Sequence, residues 1–288
     1  MPALNSLSPS PSEHRRGIAA ILAAAVLWSS SGLFIKVIDL PPVEFAGWRS
    51  LFAALAFALI FRLGLRRVNL RAWINALLYC GSVLTFVQAT RTTTAANAIL
   101  LQYTSSIYIL LAEPRLLGTR LRQRDVIAVA GCMAGMLLLV LEDLGGSSLQ
   151  GNLTGLLSGV LMAAFVMGQR LNSIPYQPAG IFLGNVLLAV LGISISLMRG
   201  PAPWEQILIV APVGFIQLGL AYGLFVYSLR RIRPLETMLL AMVEPILNPV
   251  WVLIGYGERP GSWAIAGGGL ILLALAWRAA GPQQDPNA

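Results

Sequence analysis

A chain of 288 residues that is 57% hydrophobic and only 11% charged, with a mean hydropathy of +0.74, is more apolar than a soluble domain of this length needs to be. Such a chain belongs in a bilayer. The formal net charge of +8 suggests nucleic acid only until the basic residues are placed, because they gather in short loops between apolar stretches and so report membrane topology.

Residues 1–16, rich in Ser and Pro, lack the apolar core and small-residue cleavage site of a signal peptide and read as a disordered tail. Ten windows of roughly the 20 apolar residues that a crossing requires follow, at 17–38, 43–62, 72–91, 93–112, 124–142, 153–172, 179–198, 204–229, 235–256 and 260–279. Residues 280–288 form a second tail. If the loops alternate sides, Arg15, Arg16, Arg62, Arg66, Arg67, Arg71, Arg115, Arg120, Arg122, Arg124, Arg170, Arg230, Arg231, Arg233 and Arg278 fall together, 15 of the 20 basic residues. The other side keeps Lys36, Arg49, Arg91, Arg199 and Arg259 beside Asp39, Glu44, Glu142 and Asp143. The positive-inside rule then puts both termini in the cytoplasm of a multi-pass protein of the cell's inner membrane, with an even number of crossings.

The chain also repeats itself at an offset of 139 residues. Phe86, Val87 and Arg91 recur as Phe225, Val226 and Arg230, and Leu100, Leu101, Ile107 and Gly118 recur as Leu239, Leu240, Ile246 and Gly257. Two units of five crossings each, 17–143 and 151–279, must enter the membrane from opposite sides. The expected fold is therefore an all-α integral membrane protein of ten transmembrane helices, built as two inverted five-helix repeats around a central cavity.

Polar side chains inside a crossing must face protein or water, so they mark that cavity. On the third window Gly81, Thr85, Gln88 and Thr92 share a face; on the fourth, Gln102, Ser105 and Ser106 form one stripe and Asn97, Thr104 and Tyr108 another. Gln217, Tyr222 and Tyr227 on the eighth, and Glu244 with Asn248 on the ninth, are the counterparts; Trp28 with Ser29 to Ser31, and Gln169, close the ring. Each of these groups also has a plain structural use as an interhelical hydrogen bond. Glu244-Pro245 is singled out because the proline frees the carbonyl of Ala241, leaving the glutamate either to bind an ammonium group, to titrate with a coupling proton, or to cap the break itself. Arg49 reads as an anchor paired with Glu44 or a lipid phosphate.

Other chemistries lack their parts. Cys80, Cys132 and the single His14 form no metal cluster, and no cofactor motif is present; Lys36 follows Phe34 and Ile35 rather than a phosphate-cradling loop. An integral membrane enzyme would need a nucleophile with a base or paired carboxylates, so the chain is not read as an enzyme. Gly131-x-x-x-Gly135, Gly180-x-x-x-Gly184, Gly219-x-x-x-Gly223 and the run Gly267 to Gly269 predict close helix packing, within a monomer or across a weak homodimer.

The stretch Leu235 to Glu244-Pro245, followed by Gly257-Glu258 and Gly267, resembles the EamA-type drug/metabolite transporters, as do Ala95 to Tyr103, Trp28 and Arg49 in the first half. Where relatives often keep Pro and Glu, this first half has Ser105-Ser106 and Thr119, which predicts a straighter fourth helix. The resemblance implies ten helices and a secondary exporter of small metabolites. Trp28, Tyr79, Tyr103, Tyr108 and Tyr222 are similar to the amino-acid exporters, the aromatic branch among them; nucleotide sugars, polyamines and cationic drugs are the alternative solutes. The candidate substrate-binding residues are Trp28, Tyr79, Gln88, Asn97, Gln102, Tyr103, Gln217, Tyr222, Glu244 and Asn248. The expected partners are a small-molecule substrate and the lipid bilayer. As a test of topology, single cysteines at Glu142 and Arg230 should react with an impermeant thiol reagent from opposite sides of the membrane; labelling from one side removes the inverted arrangement.

Overall fold

The computed structural model describes residues 10–31, 34, 38–62, 67–141, 148–200, 202–256 and 261–280, apart from the side chains of residues 95, 248, 249, 252, 255 and 256. All regular structure among them is helical. The α-helices are α1 (Pro11–Trp28), α2 (Pro42–Phe61), α3 (Leu70–Thr92), α4 (Ala95–Tyr103), α5 (Ser105–Leu117), α6 (Gln123–Leu141), α7 (Leu149–Leu171), α8 (Gln177–Arg199), α9 (Trp204–Pro212), α10 (Ala221–Leu229), α11 (Pro234–Ala241), α12 (Val243–Tyr256) and α13 (Ser262–Ala279). A 3-10 turn, Ile174–Tyr176, leads into α8, and a π-helical segment, Val213–Leu220, joins α9 to α10.

Helices cover all ten expected windows, but seven stretches are unbroken, long and apolar enough to cross a membrane. The other three windows are interrupted, each for a local reason. The α1 helix ends at Trp28 and starts early, at Pro11, where Ser10 accepts a hydrogen bond from the Glu13 N–H and proline supplies a preset φ. Residues 11–16, expected as tail, are thus helix, held by Arg231 bonded to Glu13 at 2.6 Å and by His14 against Glu236 at 3.2 Å. Arg231, and then Arg16, hold the Glu13 carboxyl below its ordinary range.

The fourth window divides at Thr104 and the ninth at Met242. At each, one residue leaves the α register with ψ near zero, and its N–H reaches three residues back, Thr104 to Leu101 and Met242 to Leu239. Pro245 explains the second break. The first has no proline and is nevertheless not straight, because the Thr104 hydroxyl takes the Leu101 carbonyl at 2.6 Å and competes with helix bonding.

The α3 helix packs on α7 and α8, α2 on α8 and the π segment, α1 on α10 and α11, and α6 on α13. At one end of the bundle Arg233 bridges Glu113 (2.6 Å) and Asp125 (3.2 Å), and Arg278 joins Asp125 at 3.0 Å. Glu113, fully buried, also accepts the Leu235 N–H at 2.9 Å and so caps the start of α11. The same end holds Arg71 on the Leu171 carbonyl and Arg170 on the Leu229 carbonyl. At the opposite end Arg91 donates to the carbonyls of Ile38 and Leu40, Arg199 pairs with Glu44 at 3.6 Å, and Ser148 donates to the Thr92 carbonyl.

Small residues set the closest approaches. A Cβ on Gly47 would lie 2.6 Å from Gly192 Cα, and one on Gly135 would lie 2.7 Å from the Gly267 carbonyl oxygen, so the Gly131/Gly135 face is used inside the chain, between α6 and α13. Gly47→Ala should therefore destabilise the detergent-solubilised protein by roughly 1–3 kcal/mol through overpacking, whereas Gly269→Ala, with nothing within 4 Å of its added methyl, should not. Equal thermal midpoints for the two variants would refute this packing.

Candidate functional site

A cavity of about 60 Å³ lies among the helices. Its wall is drawn from α1 (Trp28), α2 (Arg49), α3 (Val83, Phe86), α4 (Gln102, Tyr103), α7 (Met162), the π segment (Gln217, Leu218), α10 (Tyr222, Phe225), α11 (Met238) and α12 (Glu244), with Ser31 just beyond α1. The wall is mostly apolar and aromatic, with a few converging polar groups, as ligand cavities are.

The helix interruptions build this wall. Tyr103 is the last residue before the α4 break, and its phenol lies 2.8 Å from the Ala241 carbonyl and 2.7 Å from Glu244 Oε2. Pro245 has no N–H for that carbonyl, and a tyrosine from a distant stretch of the chain supplies the missing donor. One phenolic hydrogen faces two acceptors, and there are two ways to satisfy them. With Glu244 ionised, the hydrogen is shared or goes to the carboxylate. With Glu244 protonated, the carboxyl O–H donates to the tyrosine oxygen and the tyrosine O–H donates to Ala241, so that every group is paired. The other Glu244 oxygen bonds no described residue.

The π segment follows Pro212 and adds a residue to the turn, which carries Gln217 and Leu218 to the cavity; such bulges recur at functional positions. Gln217 donates to Ser30 Oγ at 3.3 Å, while its carbonyl oxygen is buried with no partner. Tyr222 and Phe225 stand one turn further along and pack on Trp28, with ring centroids 5.0 and 6.0 Å apart. The Trp28 N–H is also buried and has no partner among the described residues. Gln102 donates to Ser158 Oγ at 2.9 Å, fastening α4 to α7.

Of the ten residues expected at the site, Trp28, Gln102, Tyr103, Gln217, Tyr222 and Glu244 line one cavity. Tyr79 stands behind it, fully buried, with its ring 4.9 Å from Tyr222 and its hydroxyl donating to Asn185 at 3.2 Å. Gln88 is half-buried outside the wall, and its stripe is internally satisfied: Thr85 and Thr92 donate to carbonyls of their own helix. Asn97 lies at the bundle end, bonded to Thr93 and Asn152. The side chain of Asn248 lies outside the described residues, as do Gly257 and Glu258. Tyr108 turns outward, 37% exposed. Ser105 and Ser106 are buried with unpartnered hydroxyls but do not reach the wall.

Arg49 reverses its expected role. It does not pair with Glu44, which is taken by Arg199, and it is not an anchor: it is 3% exposed and lines the cavity. The signal was a cation within an apolar window, the feature that flagged Glu244.

Seven helical stretches long and apolar enough to cross a membrane, packed beside a mostly apolar cavity with a few converging polar groups, define a polytopic membrane protein. The chain belongs to the EamA-like transporter family, which matches it twice, over residues 15–141 and again over 149–278. It is similar to an uncharacterized transporter of Archaeoglobus fulgidus, 23% identical over 270 residues that cover 92% of this chain and 97% of that one. It is also similar in fold to a solved crystal structure, with a TM-score of 0.77 at 19% identity over 92% of this chain and 96% of the other.

Tyr103→Phe strands the Ala241 carbonyl, and should cost about 1–3 kcal/mol of stability, read as a lower thermal midpoint in detergent. A midpoint equal to that of the wild type would mean that the phenol does not bridge the break.

Proposed function

We propose that this transporter is a secondary exporter of small metabolites, amino acids foremost, working by alternating access at the central cavity. The observation that carries the reading is the origin of the wall: residues from both family-matched segments meet around one cavity, as a site between two rocking halves requires. The two segments run as inverted repeats in this reading. Its support is that helix contacts are preserved when the segments are exchanged: α3 on α7 corresponds to α10 on α1, and α2 on α8 corresponds to itself. The arginine-rich end with Arg71, Arg170, Arg233 and Arg278 faces the cytoplasm together with both termini, which makes ten crossings of the inner membrane. The small-residue face spent between α6 and α13 favours a monomer as the working unit.

Aromatic rings of Trp28, Tyr222 and Phe225 cover the apolar part of the solute, and Glu244 receives its ammonium group. A nucleotide sugar would bring two phosphates against a wall holding a single guanidinium and a carboxylate. A polyamine would meet Arg49 as a like charge. The Tyr103–Glu244 pair, with its two hydrogen arrangements, supplies a means of coupling to a proton gradient.

The test is counterflow of labelled amino acids in proteoliposomes. Saturable counterflow is expected, and Tyr222→Ala should lower it by about tenfold, the equivalent of ~1.4 kcal/mol of lost aromatic contact. Glu244→Gln should flatten the pH dependence of flux without preventing folding. Flux that never saturates would identify a pore, and a pH profile unchanged in Glu244→Gln would leave that residue with its structural role alone.

A further inference from the structure

Among the described residues Arg49 and Glu244 are the two charged ones in the cavity wall, and they are not paired with each other. Glu244 has Tyr103. Arg49 has no carboxylate and no hydrogen-bond acceptor among the described residues; its Nε is buried without a partner, and its guanidinium carbon lies 5.0 Å from the centre of the Phe45 ring. Stranding a cation in this way costs far more than burying it with an anion. Glu44, five residues earlier in the same helix and so about 140° round it, is turned to Arg199 instead. Two further groups in the same wall are also buried and unmatched: the Trp28 N–H, a donor, and the Gln217 carbonyl oxygen, an acceptor.

We infer that Arg49 is the anion seat of the cavity: it binds the free carboxylate of the solute, and the transported class is zwitterionic, with the carboxylate on Arg49 and the ammonium on Glu244. A planar guanidinium matches a carboxylate with two parallel hydrogen bonds, a geometry that an ammonium side chain cannot reproduce. The indole N–H of Trp28 is a further donor to the carboxylate, and the Gln217 oxygen a further acceptor for the ammonium. Charge selects the carboxylate over a phosphate. One guanidinium and one carboxylate balance a zwitterion to zero, while a phosphate dianion would leave the enclosed site with excess negative charge. The inference rests on reading the cavity as the solute site and adds which group of the solute sits where. Arg49 then also serves selectivity: an amine, an amide or an ester of the same amino acid leaves the guanidinium unpaired and is rejected, because a site built to bond a group discriminates strongly against its absence.

The test uses the purified full-length protein in detergent and thermal-shift titrations with two sets of probes: L-alanine, propionate and ethylamine, and L-phenylalanine, 3-phenylpropionate and phenethylamine. Inorganic phosphate is titrated as a separate arm. The expected result is that Arg49→Gln weakens the amino acid and the plain carboxylate by at least about tenfold and leaves the amine unchanged, with Arg49→Lys in between because it keeps the charge but loses the fork. Glu244→Gln should do the reverse, weakening the amines and sparing the carboxylates. Wild-type affinity for the carboxylates in both Arg49 variants overturns the inference, as does a wild-type protein that binds neither carboxylate set or that prefers phosphate. If Arg49→Gln elutes as aggregate on size exclusion, the comparison of Arg49→Lys with the wild type decides. Carboxylate binding that depends on Arg49, in a protein that shows no amino-acid counterflow, would keep the anion seat and discard the amino-acid exporter reading.

Discussion

Hydrocarbon offers no partner to a peptide carbonyl, and every interruption of a helix in this protein has to be answered from within the protein. Pro245 opens the ladder at Ala241, and the Tyr103 phenol closes it from the far side of the sequence. The Thr104 hydroxyl answers the corresponding opening at Leu101. These two repairs place a tyrosine and a glutamate side by side at the centre of the bundle, so the device that makes the backbone tolerable is also the device that gives the cavity its acid.

The charged groups divide by the same constraint. At the bundle end Glu113, Asp125, Arg233, Arg278 and Glu236 are mutually bonded, and Glu113 caps a helix besides. Their burial is compensated in full by partners that the fold itself brings, which is what stability requires of buried ions. Arg49 and Glu244 differ in that the protein leaves part of each unmatched. The unmatched portions face one space, lined by the indole of Trp28 and the rings of Tyr222 and Phe225. Structural charges are thus closed pairs at the periphery, and the open ones face the cavity.

Much of this was legible along the chain. Window length and hydropathy located the membrane-length helices, though not the helical start at Pro11 or the break at Thr104, because the cost of exposing polar backbone to lipid acts locally and leaves a local signature. The freed Ala241 carbonyl followed from Pro245, since a missing N–H is a property of one residue. Six wall residues were reached through the same logic of polar groups in apolar windows. The structure adds what the stripe could not show, that Thr85 and Thr92 bond carbonyls of their own helix while Gln88 stands outside the wall. Asn97 is bonded to Asn152 at the bundle end.

What residue order alone determined, then, was which segments lie in the membrane, that the family pattern occurs twice, and which side chains are too polar to face lipid, because each of these depends on transfer from water and is nearly independent of neighbours. What only the tertiary structure decided was which polar group meets which. Glu44 pairs with Arg199 rather than with Arg49 five residues along the same helix, whereas Tyr103 reaches Glu244 across 141 residues. Pairing is set by how helices approach and rotate, through contacts such as Gly47 on Gly192, and that information is distributed over the whole bundle rather than written at either partner.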